Sequence, residues 1–352
     1  MSQPVRRATP TDLPDLLCFA DGRRVAMPGE WPARRAELLE LLQDLQYGHL
    51  PPELPVQACQ LSSGGFGSQP DLAVTQHRLT MGEQGLGLLV TVYRPAVAGT
   101  FPVVIDGDGC WRGLTDEIIL AVGQRGYALA VFNRLELAPD YAASGRTGGL
   151  YAAFPDGDFG ALAAWAWGYH RVVDFLQTHP GVDAERIAVT GHSRGGKTAL
   201  LAGATEERIA VTAPNDSGCC GAGCTRFPDE GGERLADITR GFPHWFSPRL
   251  NGFVGKEFDL PFDQHALKAA VAPRALLSTE ARGDTWASPR GTRLTHEAAR
   301  DIYRALGVES RIGIWYRDGG HAHTLDDWRA LLDFCDLQFY GKPAPQGFDS
   351  RP

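Results

Sequence analysis

The chain is short of several things, and each shortage removes a class of function. No apolar run in its 352 residues is long enough to span a bilayer, which excludes a helical membrane protein. There is no excess of positive charge: the formal net charge is -8 and no basic cluster interrupts the acidic balance, so nucleic acid is not an expected partner. Cysteine is sparse and unpaired in pattern. Cys219, Cys220 and Cys224 fall in one Gly-rich loop, while Cys18, Cys59, Cys110 and Cys335 are scattered. No CxxC motif with a second matching pair exists, so no metal is expected and the thiols read as buried or loop cysteines of a reducing compartment. The N-terminus lacks the shape of a signal peptide, because Arg6 and Arg7 precede Ala8-Thr9-Pro10-Thr11-Asp12 and not an apolar stretch. With Met1 as the natural start the expectation is a cytoplasmic protein; a chain trimmed of a leader would read the same and would be secreted. No internal repeat and no low-complexity tract is present, and no cofactor is expected.

What remains is ordinary globular composition, 43% hydrophobic and 22% charged, enough for a substantial core. Trp31 to Leu45 has apolar positions at helical spacing, and Pro51-Pro52 closes that region. Leu72 to Arg94 holds strand-like segments, notably Gly85 to Arg94. From Phe101 the pattern alternates. Strands are expected at Phe101–Asp106, Tyr127–Phe132, Arg186–Thr190, Arg208–Pro214, Ala275–Thr279 and Arg311–Tyr316. Helices are expected at Ile118–Arg125, Phe159–His179, Thr292–Leu306 and Asp326–Tyr340. Such alternation implies a mostly parallel sheet covered by helices on both faces, a three-layer αβα arrangement. Residues 219–266 break the alternation over too long a span for a simple connection, and read as a functional insertion over the site.

The run Ile187-Ala188-Val189-Thr190-Gly191-His192-Ser193-Arg194-Gly195-Gly196-Lys197 carries the chemistry. It reads as a strand, a sharp turn bearing a serine, and a helix, and Gly191 to Gly195 fits the G-x-S-x-G nucleophile elbow. A serine hydroxyl needs a base at neutral pH. In the order serine, acid, histidine, the base is expected in Asp318-Gly319-Gly320-His321-Ala322-His323 after the last strand, with His321 preferred and His323 in reserve. The acid has two candidates, each after a strand: Asp216 in Pro214-Asn215-Asp216-Ser217-Gly218, and Asp284 in Gly283-Asp284-Thr285-Trp286. The backbone N–H of Arg194 is the expected oxyanion donor. Arg194 and Lys197 lie in the first helical turn, where a cation costs a few tenths to about 1 kcal/mol against the helix dipole. Two cations beside the nucleophile therefore point to an oxygen-rich or anionic substrate.

These motifs together resemble the glucuronoyl esterases, carbohydrate esterase family fifteen, of bacterial type. The elbow matches that family's G-C/H-S-R-x-G-K, and Pro214 to Gly218 is close to its P-x-E-S-G. Phe242-Pro243-His244-Trp245-Phe246 and Leu260-Pro261-Phe262-Asp263-Gln264-His265, followed by Ala272-Pro273-Arg274, match further segments. Asp284-Thr285-Trp286 and Gly319 to His323 match its later motifs, so the similarity runs from about Asp21 to Tyr340. The resemblance implies one α/β-hydrolase domain over residues 1–352, with an N-terminal extension at 1–60 and an active-site insertion at about 219–266. It implies a serine esterase acting on esters of (4-O-methyl-)D-glucuronic acid through an acyl-enzyme. Ser193 would be the nucleophile and His321 the base. Asp216 would stand at the usual acid position and Asp284 at a second acidic position, with Arg194 at the oxyanion. Lys197, Glu233 and Trp286 would contact the sugar, and the partner would be a small or oligosaccharide uronate ester. An acetyl esterase or other carboxylesterase on the same scaffold is the second reading. The chain departs from the family pattern in carrying Asp for Glu at 216. It also has His192 and Thr324 where fungal members pair two cysteines. The oligomeric state is left open.

Overall fold

The computed structural model describes residues 9–67, 69–83, 85–111 and 113–352. Arg6 and Arg7, on which the reading of the N-terminus rests, lie outside the described residues.

Among the described residues nine strands form one sheet: β1 (Val56–Phe66), β2 (Gln69–Met81), β3 (Leu86–Pro95), β4 (Phe101–Asp106), β5 (Ala128–Phe132), β6 (Val182–His192), β7 (Val211–Asn215), β8 (Ala275–Ala281) and β9 (Ile312–Arg317). Their order is β1-β2-β3-β5-β4-β6-β7-β8-β9. The strands from β4 to β9 pair in parallel, and β1, β2 and β3 add an antiparallel flank joined to the rest through β3 and β5. The helices are α1 (Trp31–Leu42), α2 (Asp116–Gln124), α3 (Gly149–Ala153), α4 (Ala161–Leu176), α5 (Arg194–Thr205), α6 (Leu235–Gly241), α7 (Gln264–Ala269), α8 (Pro289–Ala305) and α9 (Leu325–Tyr340).

Side chains alternate across a strand, so a strand covered on both faces must be apolar throughout. On β4, Val103 and Ile105 join the core beneath α4 and α5, while Val104 joins the core beneath α2 and α9. On β6, Ile187 and Val189 face the first layer and Ala188 the second. This explains the unbroken apolar runs and gives the three-layer αβα architecture expected from the sequence. α2 starts on Thr115, whose hydroxyl accepts from Ile118 N–H, with Asp116 and Glu117 in the first turn.

The structure departs from the sequence reading in two places. β1 begins at Val56, inside the span set aside as an N-terminal extension, and forms the sheet edge. Its run from Gln57 to Gly65 is exposed, so no buried alternation marks it. α1 ends at Leu42 and widens into a π turn at Gln43–Tyr47. Within residues 219–266, the span read as an insertion over the site, Cys219, Cys220, Leu235, Ile238, Trp245 and Phe246 join the main core. All seven cysteines are free, with Cys219, Cys220 and Cys224 buried. Among the described residues no helix is long and apolar enough to cross a membrane.

Candidate active site

The parallel strands β6, β7, β8 and β9 end on one side of the sheet, and the predicted residues sit in the connections that leave those ends. That is where open α/β sheets bind ligands. Ser193 links β6 to α5 with φ 56° and ψ -117°, a strained conformation for a residue with a Cβ. Its N–H is held by the Asn215 carbonyl at 2.9 Å. The turn closes only because Gly191 and Gly195 lack side chains: a Cβ on Gly191 would overlap the backbone of Gly195, and one on Gly195 would overlap the Asp108 carboxylate. The first bond of α5 runs from Lys197 N–H to the Ser193 carbonyl. The Arg194 N–H thus has no intrahelical acceptor and is available to an oxyanion.

His321 Nδ1 lies 2.5 Å from Asp284 Oδ2. That hydrogen bond raises the proton affinity of the imidazole above its ordinary value, against the opposing effect of partial burial. Asp284 is buried and fixed in its turn, its Oδ1 accepting from Ala287 N–H at 3.3 Å. Asp216 is bonded elsewhere. Its Oδ1 accepts from Ala281 N–H at 2.7 Å and its Oδ2 from Arg317 Nη2 at 3.2 Å. Burial pushes its carboxyl up to about 7; the Asp284 charge adds to this, while the Ala281 and Arg317 bonds oppose it. Both aspartates are nevertheless close, since polar atoms of Asp216, Asp284 and His321 all lie within 4.8 Å of one another. Of the two, it is Asp284 that the histidine is bonded to.

His323, the reserve base, has no carboxylate partner among the hydrogen bonds of the described residues. It stacks on Trp328 at 5.1 Å, and burial pushes its proton affinity down to about 3. His192 packs against His321 with ring centroids 4.3 Å apart, its Nδ1 2.6 Å from Asn215 Oδ1, and burial lowers it to about 4. Ser193, Arg194, His192 and His321 line a cavity of about 390 Å³ with Asp106, Asp108, Trp111, Leu114, His323 and Trp328.

The two first-turn cations have different surroundings. Arg194 Nη1 is 2.7 Å from Asp140 Oδ2, and its guanidinium lies 4.8 Å from the Trp245 ring, 5.1 Å from Phe242 and 5.5 Å from Trp111. Burial acts to raise the Asp140 carboxyl, but hydrogen bonds from His244, Arg194 and Trp245 hold it well below the usual carboxylate range. The Phe242 to Phe246 segment is thus the cradle of Arg194. Lys197 is 4% exposed, donates to the Ser217 carbonyl, and has Nζ 3.8 Å from Glu233 Oε2. Burial raises the Glu233 carboxyl and Lys197 pulls it back. The Glu233 N–H bonds the Trp286 carbonyl at 3.0 Å, and Trp286 is 52% exposed. The three residues expected to meet a sugar are thereby brought together.

Sequence reasoning missed three acids. Asp106, pushed up to about 7 by burial with Arg134 opposing, accepts from Asp108 N–H at 2.7 Å. Asp108 accepts from His192 N–H at 2.7 Å and pairs with the buried Arg134. The signal was legible: Asp106-Gly107-Asp108-Gly109 is a glycine-rich turn at the C-terminal end of a parallel strand. Asp140 had none, lying in an irregular stretch.

The fold and the elbow define the class: the chain is an α/β-hydrolase of the serine-elbow type. The family model for fungal glucuronyl esterase matches residues 78–307. A 4-O-methyl-glucuronoyl methylesterase of Cerrena unicolor is 34% identical over 323 residues, covering 88% of this chain; the chain spans 65% of that relative's length. Among solved structures, the carbohydrate esterase family 15 glucuronoyl esterase of Caldicellulosiruptor kristjansonii is 32% identical with TM-score 0.82, over 96% of this chain and 93% of that one. The glucuronoyl esterase of Sporotrichum thermophile, a serine-to-alanine variant bound to methyl 4-O-methyl-beta-D-glucopyranuronate, is 28% identical with TM-score 0.79, over 97% and 91%. The chain belongs to the glucuronoyl esterase family.

Proposed function

We propose that this chain is a serine esterase that hydrolyses esters of (4-O-methyl-)D-glucuronic acid. Ser193 Oγ attacks the ester carbonyl carbon while His321, oriented and charge-stabilised by Asp284, takes its proton. The tetrahedral oxyanion is met by the Arg194 N–H and the adjacent guanidinium. Collapse breaks the C–O bond to the alcohol, which leaves with the proton from His321. Water then cleaves the Ser193 ester by the same steps. Lys197 and Glu233 bind the sugar hydroxyls and Trp286 covers an apolar face of the ring.

The observation that carries this reading is the juxtaposition of two assemblies: a strained serine sharing a cavity with a histidine bonded to an aspartate, and a buried pair of Lys197, on the helix that begins at that serine, with Glu233 from the connection before α6. A simple acetyl esterase has no use for the second. The relatives' substrates, a 4-O-methyl-glucuronoyl methyl ester by name and by bound ligand, support the same choice. The test is turnover of methyl and benzyl D-glucuronate by the wild-type chain and by Ser193→Ala. Hydrolysis by the first and its loss in the second are expected; activity only on acetyl esters would overturn the assignment.

A further inference from the structure

Arg317 ends β9, immediately before the segment that carries His321, and is 8% exposed. Its guanidinium is used in full. Nη1 donates to the carbonyls of Asp318 at 3.2 Å and Gly320 at 3.1 Å, and Nη2 donates to the Ala322 carbonyl. Nη2 also meets Asp216 Oδ2 at 3.2 Å, and Nε donates to Asp327 Oδ2 at 2.7 Å. Asp327 in turn accepts from the Thr324 N–H at 2.7 Å and hydroxyl at 2.8 Å, where α9 begins. One side chain therefore ties both ends of a glycine-containing loop that has no secondary structure to hold it, and the loop bears the catalytic imidazole. A lysine could supply the charge but not the planar fork.

We propose that Arg317 is the positioning residue of this site: it fixes residues 318–322 so that His321 stays on Asp284, and Asp216 is bonded to Arg317 as its counter-ion and reaches the imidazole by its charge alone, without a hydrogen bond. The inference rests on the proposed roles of Ser193, His321 and Asp284. The groups facing His321 are Asp284 from the β8–α8 connection, Asp216 from the end of β7, Lys197 from α5 and the His192 ring from the end of β6. The Asp216 charge raises the proton affinity of His321, and Arg317 favours the ionised form of Asp216. Removing Arg317 discharges Asp216 and lets the imidazole lose its proton at lower pH.

The test compares Arg317→Met, Arg317→Lys, Asp216→Asn and Asp284→Asn in the full chain. It reads kcat and KM on benzyl D-glucuronate, and the rate of Ser193 labelling by a fluorophosphonate, which needs the base but no sugar. Arg317→Met is expected to lower kcat about 100-fold, the scale of a small misplacement of a reacting group. KM should stay within about threefold, labelling should slow in parallel, and Arg317→Lys should recover part of both. Asp216→Asn is expected to lose less than about tenfold in kcat, and Asp284→Asn about 1,000-fold or more. The acid limb of the kcat/KM profile should move to lower pH in both Arg317→Met and Asp216→Asn. Undiminished kcat and labelling in Arg317→Met, or an Asp216→Asn loss equal to that of Asp284→Asn, overturns the proposal. If Arg317→Met fails to fold, the comparison of the two aspartate variants and the acid-limb shift decide it. If wild type labels rapidly yet leaves glucuronate esters intact, the uronate reading fails, and the labelling ratios still decide the role of Arg317.

Discussion

Lys197 Nζ stands 3.8 Å from Glu233 Oε2, with both side chains almost enclosed and the lysine in the first turn of α5. A cation is poorly placed at a helix N-terminus and costly to bury. Glu233 offsets part of both costs, but a pair that served stability alone would be as well replaced by apolar residues. In the proposed function, a ligand that uses the ammonium and the carboxylate together gives the pair its reason.

Lys197→Met should therefore raise KM for benzyl D-glucuronate about tenfold or more, equivalent to about 1.4 kcal/mol of binding. It should leave kcat/KM for p-nitrophenyl acetate within about threefold. An equal loss on both esters would sink the sugar-binding role.

The pH profile follows from the His321–Asp284 bond. The base works in its neutral form, and the bond raises its proton affinity, so activity falls as pH drops through a value above the ordinary imidazole figure of about 6.5. In Asp284→Asn the stabilising charge is gone and the acid limb of kcat/KM moves down. A wild-type limb at or below the ordinary figure would show that Asp284 does not stabilise the charged imidazole.

Much of this site was readable because its chemistry is local. Gly191, Ser193 and Gly195 announce the elbow within five residues, since the turn leaves no room for a Cβ at either glycine. β4 to β9 were readable because both faces of each strand are covered. β1 was not, because an exposed edge leaves no burial pattern. The choice between Asp216 and Asp284 was likewise invisible: both follow strands, and only the packed structure shows one on Arg317 and the other on His321. Asp140 shows the same limit, since it meets Arg194 from 54 residues away along the chain.

Trp286→Ala separates function from folding. The indole is 52% exposed, so its loss should change unfolding free energy by no more than about 0.5 kcal/mol. KM for the glucuronate ester should rise about tenfold if the ring stacks on the sugar. Denaturant unfolding and steady-state kinetics on the same preparation check both; unchanged KM removes Trp286 from the binding site.

Asp140→Asn tests the cradle of Arg194. The carboxylate accepts from Arg194 Nη1 and Trp245 Nε1, both at 2.7 Å, with His244 Nε2 3.3 Å away. An amide places a donor against donors, so about 1–3 kcal/mol of stability should be lost. The Arg194 side chain, no longer held beside Ser193, should cost about tenfold in kcat. Full activity at full stability would mean that Arg194 is placed by its aromatic neighbours alone.

Whether Ser193 carries the acyl group is decided most directly by acid-quench mass spectrometry during hydrolysis of benzyl D-glucuronate. A glucuronoyl adduct is expected on the peptide containing Ser193, absent from Ser193→Ala, which does not turn over. An adduct on another residue, or continued hydrolysis by Ser193→Ala, would contradict it.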